Sequence, residues 1–313
     1  MPWLTNTLNR NTLSPWGFIA FPLAIVMLFT ALPTLAGLLL SLFEWSGGGS
    51  PRFIGLKNYT DLIASSAFWP ALCNTLLFAA FTVPLTVFFA FLIAAALNAP
   101  WFIGRTTMRT IFFLPTVVSI VAIGFIWSWV LDSTDAGLLN HVLTDIVGLP
   151  RAWLPEWLGN NPWGLASVIM VSIWRGLGFS IVLYLAAVSN VPRALYDAAA
   201  VDGANSWQTL WNVTWPGVRP MTVFLLITGL IGALQVFDVV LVMIGEGGQR
   251  WTDVLNLYLY REFTNNRLGF AAAIGSVVLL LTVIMTVAQL KWLNRPEGRT
   301  RTAATAEKGS AAP

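Results

Sequence analysis

The chain has 313 residues, of which 57% are hydrophobic and only 10% charged, with a mean hydropathy of +0.72. A soluble domain carries about 25% charged residues, so the main solvent of this chain is lipid. The net charge of +3 is too small and too scattered for a nucleic-acid footprint. One cysteine (Cys73) and one histidine (His141) leave no intrachain disulfide, and almost nothing from which to build a metal cluster or a Ser/His/Asp or Cys/His catalytic set.

A helix needs about 20 apolar residues to cross the roughly 30 Å hydrocarbon core. Six runs meet that length, over 16–42, 69–97, 111–131, 163–187, 221–243 and 270–292, and they predict an all-α integral membrane protein with six transmembrane helices. The first run is too long for the apolar core of a secretory leader and reads as an uncleaved anchor. Pro22, Pro33 and Pro84 fall inside runs and predict kinks. Trp16, Trp69, Trp163 and Trp292 stand at run ends, where an indole suits the headgroup layer.

Lys and Arg in the connecting segments set the sidedness. Arg10, Arg105, Arg109, Arg193, Arg219 and the tail residues Lys291, Arg295, Arg299, Arg301 and Lys308 place ten on one side. The other side holds six: Arg52, Lys57, Arg151, Arg250, Arg261 and Arg267. Both termini are therefore expected in the cytoplasm. The domain reading is a cytoplasmic N-terminal segment (1–15), a membrane domain (16–293) and a disordered cytoplasmic tail (294–313), which lacks any apolar period.

Between the fourth and fifth runs lies a polar, patterned stretch, PRALYDAAAVDGANSWQTLWNVTWPGVRP, on the same side as the termini. Pro192 can open a helix, "RALYDAAAVD" continues it, and Gly203 suits the left-handed turn that ends one. Asn205 with Gln208 three residues on predicts a capping box, and a second short helix runs to about Thr214. Pro216 is expected to block its continuation into the next span without a bend. Ala198, Ala199 and Ala200 are expected to give the first helix a shallow face, with Asp197 and Asp202 at its margin. Physics alone leaves open an amphipathic connector resting on the membrane.

The spacing of that stretch resembles the signature loop of binding-protein-dependent ABC importer permeases: Glu-Ala-Ala, three residues, Gly, nine residues, an aliphatic, one residue, Leu, Pro. Here it runs Asp197-Ala198-Ala199, Gly203, Val213, Trp215-Pro216, with Asp197 in place of Glu and Trp215 in place of Leu. The rest of the chain is similar to the carbohydrate-uptake branch of that family, the maltose and glycerol-3-phosphate type. "FIGLKNYTDLI" (53–63), "NTLLFA" (74–79), "GLLN" (137–140) and "FDVVLVM" (237–243) carry that likeness. Loop 245–250, "GEGGQR", departs from the family's Gly-Gly-Pro run.

The resemblance implies a type I ABC importer permease fold in a prokaryotic inner membrane. It implies a homologous second permease subunit, two ATP-binding subunits and an extracytoplasmic solute-binding protein as partners, a sugar-like solute, and alternating access. No cofactor is implied in this chain: ATP and Mg would be held by the partner subunit. The ATPase-coupling residues would be Asp197, Ala198, Ala199, Asp202, Gly203, Val213 and Pro216.

Arg175, near the middle of the fourth run, and Asp238, inside the fifth, are candidates for the translocation pathway, or for a pair that holds helices together. Asn74 is a further pathway candidate, although with Thr75 it also suits hydrogen bonding between helices. His141 reads as a surface histidine. A stand-alone secondary transporter or channel is the other class that this composition admits.

Overall fold

The structure is a computed structural model and describes residues 13–99, 102–134, 136–159, 162–245 and 251–293. The expected disordered tail, most of the N-terminal segment and residues 246–250 lie outside the described residues.

In chain order the elements are α1 (Leu13–Val26), a π-helical stretch Met27–Ala31, α2 (Leu32–Leu40), a short antiparallel hairpin of β1 (Phe43–Glu44) and β2 (Arg52–Phe53), α3 (Lys57–Ala64) and α4 (Phe68–Asn98). Then come α5 (Arg105–Val117), α6 (Ile120–Val130), α7 (Leu138–His141), α8 (Trp163–Ser189) and α9 (Arg193–Val201). A π-helical stretch, Val142–Ile146, follows α7, and after α10 (Ser206–Thr209) another, Leu210–Thr214, leads into α11 (Trp215–Leu234). The chain ends with α12 (Asp238–Ile244), α13 (Leu255–Thr264) and α14 (Leu268–Leu293). Among the described residues five helices are long and apolar enough to span a membrane: Phe18–Leu40, Phe68–Asn98, Trp163–Ser189, Ser206–Leu234 and Leu268–Leu293. The pair α5 and α6 makes a sixth if it is taken as one span.

Three expectations change. The third run is not a single rod, because α5 and α6 meet at 99°. Pro115 removes a backbone donor inside α5, the β-branched run Thr116–Val118 follows it, and Val118 turns to extended backbone. The fifth run stops at Leu234, and α12 starts afresh after Gln235–Phe237, so Asp238 sits in the first turn of a new helix. A carboxylate is favourable there, against the positive end of the helix dipole. Finally, Pro216 does not stop its helix, since 206–234 runs through as one span of 29 residues. The π-helical stretch just before it shifts the bonding to i→i+5, which absorbs the missing N–H and the ring. The same device, Met27–Ala31, precedes Pro33.

The contacts divide the chain into two units. One comprises 1–69 and 255–278. Here the buried Asn58 donates from Nδ2 to the carbonyls of Ser41 (2.8 Å) and Phe43 (2.9 Å), fastening α3 to the start of the hairpin. The hydroxyls of Tyr59 and Ser41 meet at 2.7 Å, and those of Ser65 and Tyr258 at 3.0 Å. The span Phe18–Leu40 buries none of its apolar window inside the chain.

The other unit comprises 70–254 and 279–313. Its core gathers Phe91, Leu97, Ile181, Tyr184 and Val218 from α4, α8 and α11. Helices α5 and α8 cross closely at Gly178, where a Cβ would overlap the Phe112 carbonyl and Thr116 Oγ1. The segment after α6 is held by Asn140, 2% exposed. Its Nδ2 donates to the carbonyls of Asp132 (3.2 Å) and Thr134 (3.4 Å), and its Oδ1 accepts the Trp157 indole N–H at 2.8 Å. Gly137 belongs to the same knot, since a Cβ there would run into the Asp132 carbonyl. The Thr134 hydroxyl and backbone N–H hold the Asp132 carboxyl below its usual range. "GLLN" therefore records a close approach at Gly137 and a three-way tie at Asn140.

Candidate functional site

Two features of the second unit concern function. The first is a cavity of about 530 Å³ among α4, α5, α6, α8, α11 and α12. Its wall includes the two breaks in the helical rods, where Thr116 and Ile120 flank the bend between α5 and α6, and Gln235–Asp238 lines the gap between α11 and α12. Broken helices are tolerated at membrane depth where they line a cavity. Phe78, Phe179 and Phe237 add aromatic surface.

Four buried polar atoms on the cavity-lining residues have no hydrogen-bond partner among the described residues: Thr82 Oγ1, Thr86 Oγ1, Ser172 Oγ and Arg175 Nε. Burying such an atom unpaired costs about 1–3 kcal/mol. All four belong to residues that wall one hollow. Arg175 and Asp238 both line this cavity, and no ion pair joins them among the described residues. The third pathway candidate lies elsewhere: Asn74 is buried, and its Nδ2 donates to the Asp253 carbonyl at 2.9 Å. Thr82, Thr86, Thr116, Ser172 and Thr228 were not singled out in the sequence. Thr82 and Thr86 are one helical turn apart, which was the available signal.

The second feature is the 192–216 segment. Pro192 is the N-cap of α9 rather than its first helical residue, so the helix starts one position later than expected, at Arg193. The helix ends in a Schellman turn: Gly203 has φ +74°, Ala204 N–H donates to the Ala199 carbonyl (2.9 Å) and Gly203 N–H to that of Ala200 (3.1 Å). The capping box closes in both directions at 2.9 Å, Gln208 N–H to Asn205 Oδ1 and Asn205 N–H to Gln208 Oε1. Tyr196 Oη meets Thr214 Oγ1 at 3.2 Å, tying α9 to the helix that follows.

Asp197, Ala198, Asp202, Gly203 and Pro216 are exposed, while Ala199 and Val213 are half-buried. The three alanines do not form one face. Successive helical residues point about 100° apart, so Ala199 turns inward while Ala198 and Ala200 face out. The exposed apolar row is instead Leu195, Ala198 and Val201, with Leu195 at 50% and Val201 at 88% exposure, joined beyond the turn by Trp207 at 64%. Their three-residue spacing is legible in the sequence, although the run of alanines overlaps it. His141 is exposed and its Nδ1 lies 2.7 Å from Asp145 Oδ2.

Residues 86–295 match the family described as binding-protein-dependent transport system inner membrane component. The chain is 34% identical to the lactose transport system permease protein LacF of Rhizobium radiobacter over 88% of its own length and 92% of that protein. Among solved structures it resembles a bacterial ABC transporter involved in the import of the acidic polysaccharide alginate, with a TM-score of 0.78 and 26% identity, covering 91% of this chain and 96% of that one. A bacterial alginate ABC transporter in complex with alginate pentasaccharide-bound periplasmic protein gives a TM-score of 0.76 and 26% identity, over 92% and 97%. The signature spacing from Asp197 to Pro216, the broken spans around a polar hollow and these likenesses agree: the chain belongs to the binding-protein-dependent transport system inner membrane component family, as a permease subunit of an ATP-binding-cassette importer of the sugar-uptake kind.

Proposed function

We propose that this chain forms half of the path by which a sugar or sugar-like solute, handed over by an extracytoplasmic binding protein, crosses the inner membrane of a prokaryotic cell. A homologous second permease supplies the other half. Two ATP-binding subunits, which hold ATP and its magnesium, seat against the 192–216 segment on the cytoplasmic side, where both termini also lie. Closure of those subunits on ATP moves the segment, the cavity opens outward to accept solute, and hydrolysis resets it.

The observation that carries this reading is the cavity with its four unpartnered polar atoms. Donors and acceptors without partners, beside aromatic surface, suit a ligand that carries many hydroxyls. Arg175 and Asp238 supply a cation and an anion able to bond such hydroxyls from two sides. Val213 packs its helix against the core cluster that holds Phe91 and Tyr184.

The test is uptake by the importer reconstituted in vesicles with its binding protein. Uptake is expected to require ATP and to collapse when the catalytic Glu of the co-purified ATPase is changed; uptake by this chain alone, driven by an ion gradient, overturns the reading. For the cavity, Arg175→Cys is made in a Cys73→Ser background, because the native thiol is exposed. Reaction with a polar thiol reagent in at least one nucleotide state is expected. A thiol silent in every state removes Arg175 from the path.

A further inference from the structure

Trp207, Trp211 and Trp215 recur every four residues, so they stack along one face of the helix that continues from the coupling turn into the fifth span. Ring centroids are 5.5 Å apart for Trp207–Trp211 and 5.7 Å for Trp211–Trp215. Phe91 of α4 then takes up the row, 5.9 Å from Trp211 and 5.0 Å from Trp215, and meets Tyr184 of α8 at 5.7 Å. The contacts are edge-to-face or tilted, arrangements worth about 0.5–1.5 kcal/mol each beyond buried area. Exposure falls along the row from 64% at Trp207 to none at Phe91 and Tyr184. Its inner end is locked: Tyr184 Oη donates to Thr222 Oγ1 at 2.8 Å, and Thr222 Oγ1 donates to the Val218 carbonyl at 3.3 Å. Val87 and Leu225 belong to the same core cluster as Phe91 and also line the cavity.

We infer that this aromatic row is the rigid linkage by which movement of the 192–216 segment reaches the cavity wall, with Trp211 and Trp215 as positioning residues for transport. The inference rests on the coupling role proposed for that segment. A rigid-body joint needs contacts that cannot slide. Large flat side chains with two torsions each, interlocked edge to face, transmit displacement where aliphatic side chains would change rotamer. The row also gives Trp215 a reason to stand where the family pattern has Leu: a leucine there would lose the 5.0 Å contact to Phe91.

The experiment uses the assembled importer, with binding protein and saturating solute, in vesicles. Trp211→Ala is expected to keep the ATPase subunits through purification and to retain basal hydrolysis. Its binding-protein-stimulated hydrolysis and uptake are expected to fall at least about tenfold, a loss of some 1.4 kcal/mol of coupling, with the KM for loaded binding protein unchanged. Trp211→Phe restores at least half of the uptake, because it keeps an aromatic edge. If the alanine variant fails to accumulate, Trp211→Leu, which fills the volume without a ring, is expected to show the same split. Wild-type rates of binding-protein-stimulated hydrolysis and of uptake in the Ala or Leu variant overturn the linkage. So does loss of the ATPase subunits from the variant, which makes Trp211 a docking residue and leaves the coupling role of the segment intact. Absence of an ATPase from the wild-type complex sinks the coupling role itself.

Discussion

Asp197 stands on the exposed side of α9 and meets no partner among the described residues. Under the function proposed above an ATP-binding subunit covers this surface, and the free carboxylate is then available for a donor of that subunit. Glu is one methylene longer, so Asp197→Glu is expected to keep uptake at the wild-type level or above it. Asp197→Asn keeps the shape but loses the charge. A charge-assisted hydrogen bond is worth about 1.5–3 kcal/mol, so stimulated ATP hydrolysis is expected to fall roughly tenfold. Gly203 offers a sharper contrast because its φ of +74° is costly for a residue with a Cβ. Gly203→Val, at about 1–2 kcal/mol of backbone strain, is expected to lower solute-stimulated hydrolysis while basal hydrolysis persists; Gly203→Asn is tolerated, since Asn enters the left-handed region readily. Asn140 is a matter of stability rather than transport. Its replacement by Ala orphans the Trp157 N–H and the two carbonyls of Asp132 and Thr134, and each such loss costs about 1–3 kcal/mol. A lower midpoint of thermal unfolding is expected for Asn140→Ala, with Asn140→Asp in between.

Helix positions were legible in the sequence because twenty apolar residues in a row admit few alternatives in lipid. The second, fourth and sixth spans fall within about two residues of their runs. Interruptions were harder to see. Val118, Gln235 and Phe237 break helices where hydropathy stays high or falls for a single residue, because the break is decided by what lines a cavity rather than by solvent. The π-helical stretches before Pro33 and Pro216 left no compositional trace either, since they rearrange hydrogen bonds without changing residue type. The coupling turn was the opposite case. Gly203, Asn205 and Gln208 are local chemistry, and the chain fulfils them atom for atom. What that local chemistry could not show was that the second helix is the continuing end of the fifth span. Trp207 therefore stands near the start of one continuous helical segment of 29 residues, whose far end lines the cavity.

The whole molecule distributes its constraints unevenly. The unit with the cavity buries Phe91, Tyr184, Val168 and Val218 completely, and close crossings such as Gly178 against Phe112 leave no room for an added methyl group. That unit must move as interlocked pieces, and single core substitutions there are expected to lower uptake and stability together. Gly178→Ala is the plainest case, with a fall in the unfolding midpoint of the purified chain as its readout. The first span carries no such constraint. None of its apolar window is buried within the chain, so Phe21 and Phe29, at 73% and 71% exposure, present their rings to whatever lies alongside. Such a helix keeps its place through bilayer thickness and hydropathy, and its sequence is free to drift among apolar residues unless a neighbouring subunit reads it. Exchange of Phe21 and Phe29 for Leu thus turns this span into a reporter of its surroundings: an unchanged yield of the assembled importer marks a lipid neighbour, and a lost second permease marks a protein one.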